Sequence, residues 1–190
     1  MAIVLASQSP RRQELLQRIG VEDFKTLSLD IDESYPASLS PEDTVRYIAK
    51  KKCDAAAALC APDDLIITAD TMVFLGNDRL GKPRDEEDAL RMLRELAGRG
   101  HTVCTGVSVR RGETSELFAV STRVFFRPMT DDEICAYIKT GEPMDKAGAY
   151  GVQSRGALFV ERIDGDFFNV MGLPVEQLGL VLARFGVKLL

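Results

Sequence analysis

At 190 residues, 45% apolar and 28% charged, the chain can bury one substantial core, or two lobes sharing a cleft, and its composition gives no reason to invoke disorder. A formal net charge of -5 argues against a nucleic acid polymer as partner, although a local cluster of cations could hold one phosphorylated small molecule. No apolar run approaches the ~20 residues of a membrane span, and the opening stretch is too short and lacks the cationic lead of a signal peptide, so a cytoplasmic protein with no membrane partner is expected.

Cys53, Cys60, Cys104 and Cys135 are scattered, with no CxxC pair, and read as core thiols. His101 is the single histidine, which excludes a zinc site with several imidazoles and leaves one for any serine triad. Just after Gly100, it reads as a loop residue. Any metal chemistry must then use carboxylates and other oxygens, which suits Mg²⁺ or Mn²⁺.

Residues 3–6 read as a short strand, and Ser7-Gln8-Ser9-Pro10-Arg11-Arg12 turns it into a helix with Ser9 as N-cap and Pro10 at the first helical position. Free backbone N–H groups, the hydroxyls of Ser7 and Ser9 and the guanidinium groups of Arg11 and Arg12 would converge there, as a phosphate chain requires. A capped helix with solvated arginines is the plainer alternative. Residues 24–29 form a second predicted strand, leading into Asp30-Ile31-Asp32-Glu33-Ser34. These crowded carboxylates repel one another unless a cation sits nearby, so the loop is either a metal-binding edge or a solvated acidic turn. Asp30-x-Asp32 also resembles the nucleophile motif of haloacid-dehalogenase phosphatases, but the run before it is half polar, unlike a buried first strand.

Ser40-Pro41-Glu42-Asp43 starts a helix whose apolar face comprises Val45, Ile48, Ala49, Ala56 and Leu59. Lys50, Lys51 and Lys52 follow one another at roughly 100° steps, so they cannot all face one cleft. Leu65-Ile66-Ile67-Thr68-Ala69-Asp70-Thr71 reads as a buried strand with an acid and a hydroxyl at its far end, out of keeping with burial. Asp70 is the first catalytic suspect, because open α/β sheets place ligands outside the carboxyl ends of their strands. The alternative is that Asp70 and Thr71 begin a turn.

Residues 72–75 continue extended into a turn at Gly76-Asn77-Asp78-Arg79, and Leu80-Gly81-Lys82-Pro83 presents Lys82 from a constrained loop. Neither a Walker P-loop nor a dinucleotide GxGxxG is present. Residues 85–96 read as an amphipathic helix with Ala89, Leu90, Leu93 and Leu96 on one side, ending at Gly98. Alternation over 103–109 and 118–126 predicts a long antiparallel hairpin, and Thr130-Asp131-Asp132-Glu133 is a capping box opening another helix. The glycine-punctuated stretch 141–153 is a shaped loop carrying Asp145, Lys146 and Gln153. Gln153 offers both a donor and an acceptor, as a reader of nucleobase edges must. Residues 157–163 return to strand, 165–174 form a glycine-bounded loop and 175–185 a last amphipathic helix. With no repeat or linker, residues 1–190 form a single domain.

Assembled, these residues resemble the Maf (septum formation inhibitor-like) family of nucleoside triphosphate pyrophosphatases. The matching segments are Ala6-Ser7-Gln8-Ser9-Pro10-Arg11-Arg12, Ala69-Asp70-Thr71, Leu80-Gly81-Lys82-Pro83, and residues 141–153 and 165–174. The run from Asp145-Lys146 to Gln153 is similar to the branch acting on dTTP and UTP rather than that preferring 7-methyl-GTP. The resemblance implies an α/β fold with an elongated mixed sheet, flanking helices and two lobes around a central cleft, related to inosine triphosphate pyrophosphatases and often a homodimer. It implies hydrolysis of a nucleoside triphosphate to the monophosphate and pyrophosphate with a divalent metal cation, Mg or Mn.

By matching position, Asp70 would be the catalytic base and would hold the metal with Glu33. Lys52 and Lys82 would act on the phosphates, and Ser7, Ser9, Arg11, Arg12, Thr71, Asp145, Lys146 and Gln153 would bind the nucleotide. The sequence departs from the family's usual pattern in two places: Ser154 stands where a glycine commonly follows the glutamine, and Phe167-Phe168 replaces a usual tyrosine pair, which argues that these rings pack rather than catalyse. The alternatives are a nucleotide-binding regulator of cell division with little turnover, and a haloacid-dehalogenase-like phosphatase using Asp30.

Overall fold

Strand β1 (Ile3–Leu5) lies parallel to both β2 (Phe24–Thr26) and β3 (Leu65–Leu75), with Leu5 opposite Thr26 on one side and Ile67 on the other. The computed structural model describes residues 1–190. Beyond β3 come β4 (Asp78–Leu80), β5 (Gly100–Arg111), β6 (Thr114–Phe126) and β7 (Val160–Asp164). They complete a seven-stranded mixed sheet in the order β2-β1-β3-β5-β6-β7, with β4 paired antiparallel to β3 and β7 antiparallel to β6. The helices are α1 (Pro10–Arg18), α2 (Pro41–Ala57), α3 (Glu86–Leu96), α4 (Asp131–Ile138), α5 (Phe167–Met171) and α6 (Val175–Arg184). No helix is long and apolar enough to cross a membrane.

The chain forms two compact units, one of Met1–Asp70, Thr105–Val120 and Gly172–Leu190, the other of Thr71–Cys104 and Ser121–Met171. In the first, α2 is the central helix. Ser40 caps it by accepting from the Asp43 N–H, and Val45, Ile48, Ala49, Cys53 and Ala56 are buried along one face. Cys53 and Ala56 pack with Ala6 and Ile66, flanked by Leu27, Leu29, Ala57 and Cys60. Two contacts fix the helix on the sheet. The Thr68 hydroxyl donates to the Ala49 carbonyl at 2.7 Å, and β5 approaches so closely at Gly106 that a Cβ there would lie 2.3 Å from the Val45 carbonyl oxygen. Leu59 is exposed rather than part of the apolar face, because α2 ends at Ala57 and the helical period ends with it.

In the second unit, Asp85 caps α3 and Thr130 with Glu133 forms the expected capping box on α4. Met92, rather than Leu90, joins Ala89, Leu93 and Leu96 on the buried face of α3. Edge-to-face ring contacts join Phe126, Tyr150 and His101, and Tyr137 meets Phe159 in the same way. His101 corrects the sequence reading: Gly100 opens β5 rather than a loop, and the imidazole is 3% exposed. Its Nε2 shares a 2.8 Å hydrogen bond with the Tyr150 hydroxyl, while Nδ1 has no partner.

Burial pushes the His101 pKa down to about 4. The unfolded chain binds a proton near 6.5 that the folded protein refuses until about 4, so His101's contribution is complete above pH 6.5 and is lost as pH falls below it. Integrated over that window, the loss is about 3 kcal/mol. Denaturant unfolding between pH 7 and 4 is expected to show this slope, and His101→Asn to flatten it; equal slopes would remove His101 as its source.

Other boundaries also differ from expectation. β2 stops at Thr26, 3-10 turns at Glu142–Asp145, Ala147–Ala149 and Arg155–Phe159 fill the stretch before β7, and α5 occupies part of the loop expected over 165–174. Of the four free cysteines only Cys53 and Cys104 are buried; Cys60 is partly exposed and Cys135 exposed.

Candidate active site

Asp70 sits within β3 rather than at its end, because the strand runs on to Leu75, so neither Asp70 nor Thr71 begins a turn. Its carboxylate is 10% exposed and accepts from the Lys52 ammonium at 2.8 Å. Lys52 is delivered by α2, whose seat on Thr68 and Gly106 sets its height over the strand. The same ammonium lies 2.9 Å from Glu33 Oε1, so one cation holds a buried and an exposed carboxylate together.

The Glu33 loop has its own fastening. Asp32 accepts from the Ser34 N–H at 2.9 Å, from the Ser34 hydroxyl, and from Lys51 at 3.3 Å; the bonds from Ser34, then Lys51, draw its pKa down to about 2. The three successive lysines therefore diverge: Lys50 pairs with Asp54 at 2.6 Å, Lys51 with Asp32, and Lys52 alone reaches Asp70. The Lys51–Asp32 tie was not legible in sequence. Its only signal was the crowding of acids at 30–33.

The helix start at Ser9 also belongs to this unit. Ser9 occupies the N-cap position, but its side chain makes no capping bond; instead its N–H donates to the Ser7 hydroxyl at 3.2 Å. Arg12 donates to the Gly172 carbonyl at 2.8 Å and to the Ser7 hydroxyl at 3.3 Å. Burial lowers the Arg12 pKa against the pull of Asp70 and Glu33, which places the guanidinium within the field of both carboxylates. Ser7, Arg12, Glu33, Lys52 and Asp70 thus gather in the first unit, with Ser9 and Arg11 on the same helix start. Asp30 lies in an exposed loop past a three-residue edge strand, which is not the buried first strand a haloacid-dehalogenase nucleophile occupies.

In the second unit, Lys82 is exposed on the loop after β4, and that loop is tied to the 141–153 stretch by the Gly148 N–H donating to the Gly81 carbonyl at 3.0 Å. Gly148 adopts φ 69°, and a Cβ there would lie 2.8 Å from Val73 Cγ2. The next residue, Ala149, also has positive φ, 60°, a costly conformation that the surrounding packing imposes. Lys146 is not directed at solvent: its ammonium donates to the Glu142 carbonyl at 2.7 Å and to Asp145 at 2.6 Å. Gln153 is exposed in the following turn. Sequence reasoning passed over Tyr137 and Glu142, which brace this turn; their spacing carries no motif.

The chain matches the Maf family, described as Maf-like protein, over residues 2–185. It belongs to that family. It is 46% identical over 186 residues to a dTTP/UTP pyrophosphatase of Bacillus velezensis, covering 98% of this chain and 97% of the relative. It is 47% identical over 184 residues to a dTTP/UTP pyrophosphatase of a Geobacillus species, covering 97% and 98%. Among solved structures, the Ham1 protein of Staphylococcus aureus superposes with a TM-score of 0.55 at 14% identity, across 97% of this chain and 100% of that one, and that of Coxiella burnetii with 0.52 at 13%, across 97% and 99%. At such identity the likeness concerns the fold alone, and it is the mixed α/β sheet described above.

Ser154 and the Phe167–Phe168 pair, expected to differ from the usual family residues, can now be placed. The Ser154 hydroxyl donates to Glu142 at 2.6 Å, so its side chain is engaged rather than idle. Phe167 and Phe168 contact each other edge to face at 5.7 Å while remaining exposed, so they pack on one another and not in a core.

Proposed function

We propose that this protein hydrolyses pyrimidine nucleoside triphosphates, dTTP and UTP, to the monophosphate and pyrophosphate. The observation that carries the reading is the buried Asp70 carboxylate on Lys52, which also grips Glu33 within the field of Arg12. The activity named for its relatives in Bacillus velezensis and Geobacillus supports it.

The chemistry follows from these groups. Asp70 accepts the proton of a water attacking the α-phosphorus in line, and pyrophosphate leaves. Lys52, held at both carboxylates, fixes the orientation of Asp70. Arg12 and the cations on the helix start neutralise the β- and γ-phosphates, where positioning and charge dominate phosphoryl transfer, and a phosphate role for Lys82 rests on its motif Leu80-Gly81-Lys82-Pro83. Asp70 and Glu33 are hard oxygen donors that Lys52 brings to one place, and they would be the residues to hold Mg²⁺ or Mn²⁺. Bound there, the ion supplies Lewis-acid neutralisation of phosphoryl charge. Gln153 reads the base edge through its paired donor and acceptor.

The test resolves monophosphate, diphosphate, pyrophosphate and phosphate from separate incubations with dTTP, UTP, CTP, GTP, ATP and 7-methyl-GTP in Mg²⁺ or Mn²⁺. Monophosphate with pyrophosphate from dTTP and UTP is the expected result. Inorganic phosphate as first product would move the chemistry elsewhere, and tight binding without turnover would leave a nucleotide-binding regulator.

A further inference from the structure

We propose that Glu142 is a positioning residue for Gln153: its carboxylate sets the turn that presents the base-reading amide, with the Ser154 hydroxyl as its local clasp. The inference rests on the reading of Gln153 given above.

Gln153 stands in a turn whose ends approach where the Ser154 N–H donates to the Gly151 carbonyl at 3.4 Å. Both ends lead to one carboxylate. On the near side the Gly151 N–H donates to the Tyr137 hydroxyl at 3.1 Å, and that hydroxyl donates to Glu142 Oε1 at 2.7 Å. On the far side the Ser154 hydroxyl, at 2.6 Å, and the Gly156 N–H, at 3.3 Å, donate to Oε1, while the Arg155 N–H donates to Oε2 at 3.3 Å. Burial opposes ionisation of Glu142, yet the bonds from Ser154, Tyr137, Gly156 and Arg155 prevail and hold its pKa below the ordinary value.

The backbone has no room for another path. A Cβ at Gly156 would lie 2.6 Å from the Gly151 carbonyl oxygen and 2.9 Å from the Tyr137 hydroxyl, and one at Gly151 would lie 2.8 Å from Lys146 Cε. Upstream, Tyr150 is moored by its 2.8 Å bond to the buried His101. Gln153 itself is exposed, so packing does not aim its amide; the backbone on either side does. Glu142 therefore acts on the nucleobase through the turn.

Steady-state kinetics with UTP on Glu142→Gln, Ser154→Ala, Gln153→Ala and the Glu142→Gln/Gln153→Ala double variant test this. A glutamine at 142 keeps the size, but whichever way its amide turns, the NH₂ meets a backbone N–H, that of Arg155 or that of Gly156, which has nothing to accept it. We expect Glu142→Gln to raise KM roughly tenfold with kcat within about twofold, because a misaimed base reader loses binding felt equally in the ground and transition states. Ser154→Ala should raise KM about fivefold, the worth of one hydrogen bond. Once Gln153 is alanine, Glu142→Gln should add less than about twofold, since coupled residues fail to add. Full additivity, or a fall in kcat at unchanged KM with a lowered Tm, would overturn the proposal. Hydrogen exchange across residues 151–156 separates the two readings. A wild type without triphosphate turnover removes the role of Gln153, whereas unchanged exchange in Glu142→Gln removes the hold of Glu142 on the turn.

Discussion

Asp70→Asn is expected to lower kcat for UTP hydrolysis by about 10³-fold, the scale of a lost general base, while nucleotide binding survives. The amide preserves the shape of the side chain but cannot take the proton of the attacking water. It also removes one negative charge from a place where phosphates must approach, which offsets the weaker metal donor that Asn provides beside Glu33, so binding should survive. Folding is not the confounder it would be at an isolated buried pair. Lys52 keeps Glu33 as a partner at 2.9 Å, and the ammonium is not left stranded. The measurement is single-turnover hydrolysis beside calorimetric titration with a non-hydrolysable pyrimidine triphosphate. Near-normal turnover in a folded variant would remove Asp70 as the base.

Gly106→Ala should be the most damaging single-carbon change in the chain. Its Cβ would lie 2.3 Å and 2.4 Å from the Val45 carbonyl oxygen and carbon and 2.7 Å from the Arg46 nitrogen. These are backbone atoms of α2, so relief requires moving the helix rather than a flexible side chain. Overpacking of this kind costs about 3 kcal/mol, which for a chain of this size lowers Tm by roughly 10 °C. The same shift would carry Lys52 away from Asp70, so the folded fraction should also lose activity. Gly179→Ala is the contrast. It lies within α6, and its nearest neighbour would be the tip of Leu189 at 3.7 Å, so alanine there should raise stability by about 0.5 kcal/mol or more. Thermal melts of the two variants should move in opposite directions, and an unchanged Tm for Gly106→Ala would mean that α2 is not seated on β5 as described.

The division between what was readable and what was not follows the range of the interactions. Ser40 with Asp43, Asp85 with Asp88 and Thr130 with Glu133 are bonds across three residues, so helix starts were visible as short patterns. The hairpin of β5 and β6 was visible in its alternation, and Asp70 and Thr71 stood out as polar groups in an apolar strand. Burial of His101 was not legible, because it depends on Tyr150, 49 positions away. Nor was the exposure of Leu59, since a helical period does not announce its own end.

From its sequence alone the chain declares its family, and with it the mixed α/β class, through ordered motifs, most of its strands and helices through the spacing of apolar residues, and Asp70 as the acid to suspect. These properties reside in neighbours along the chain. Only the tertiary structure selected Lys52 among three consecutive lysines, fastened Lys51 to the Glu33 loop, and turned Glu142 into the brace of the Gln153 turn. The physical reason is that an ammonium or a carboxylate bonds whatever the fold sets within about 3 Å of it, and that distance is decided by where helices and turns are seated, not by their order in the chain.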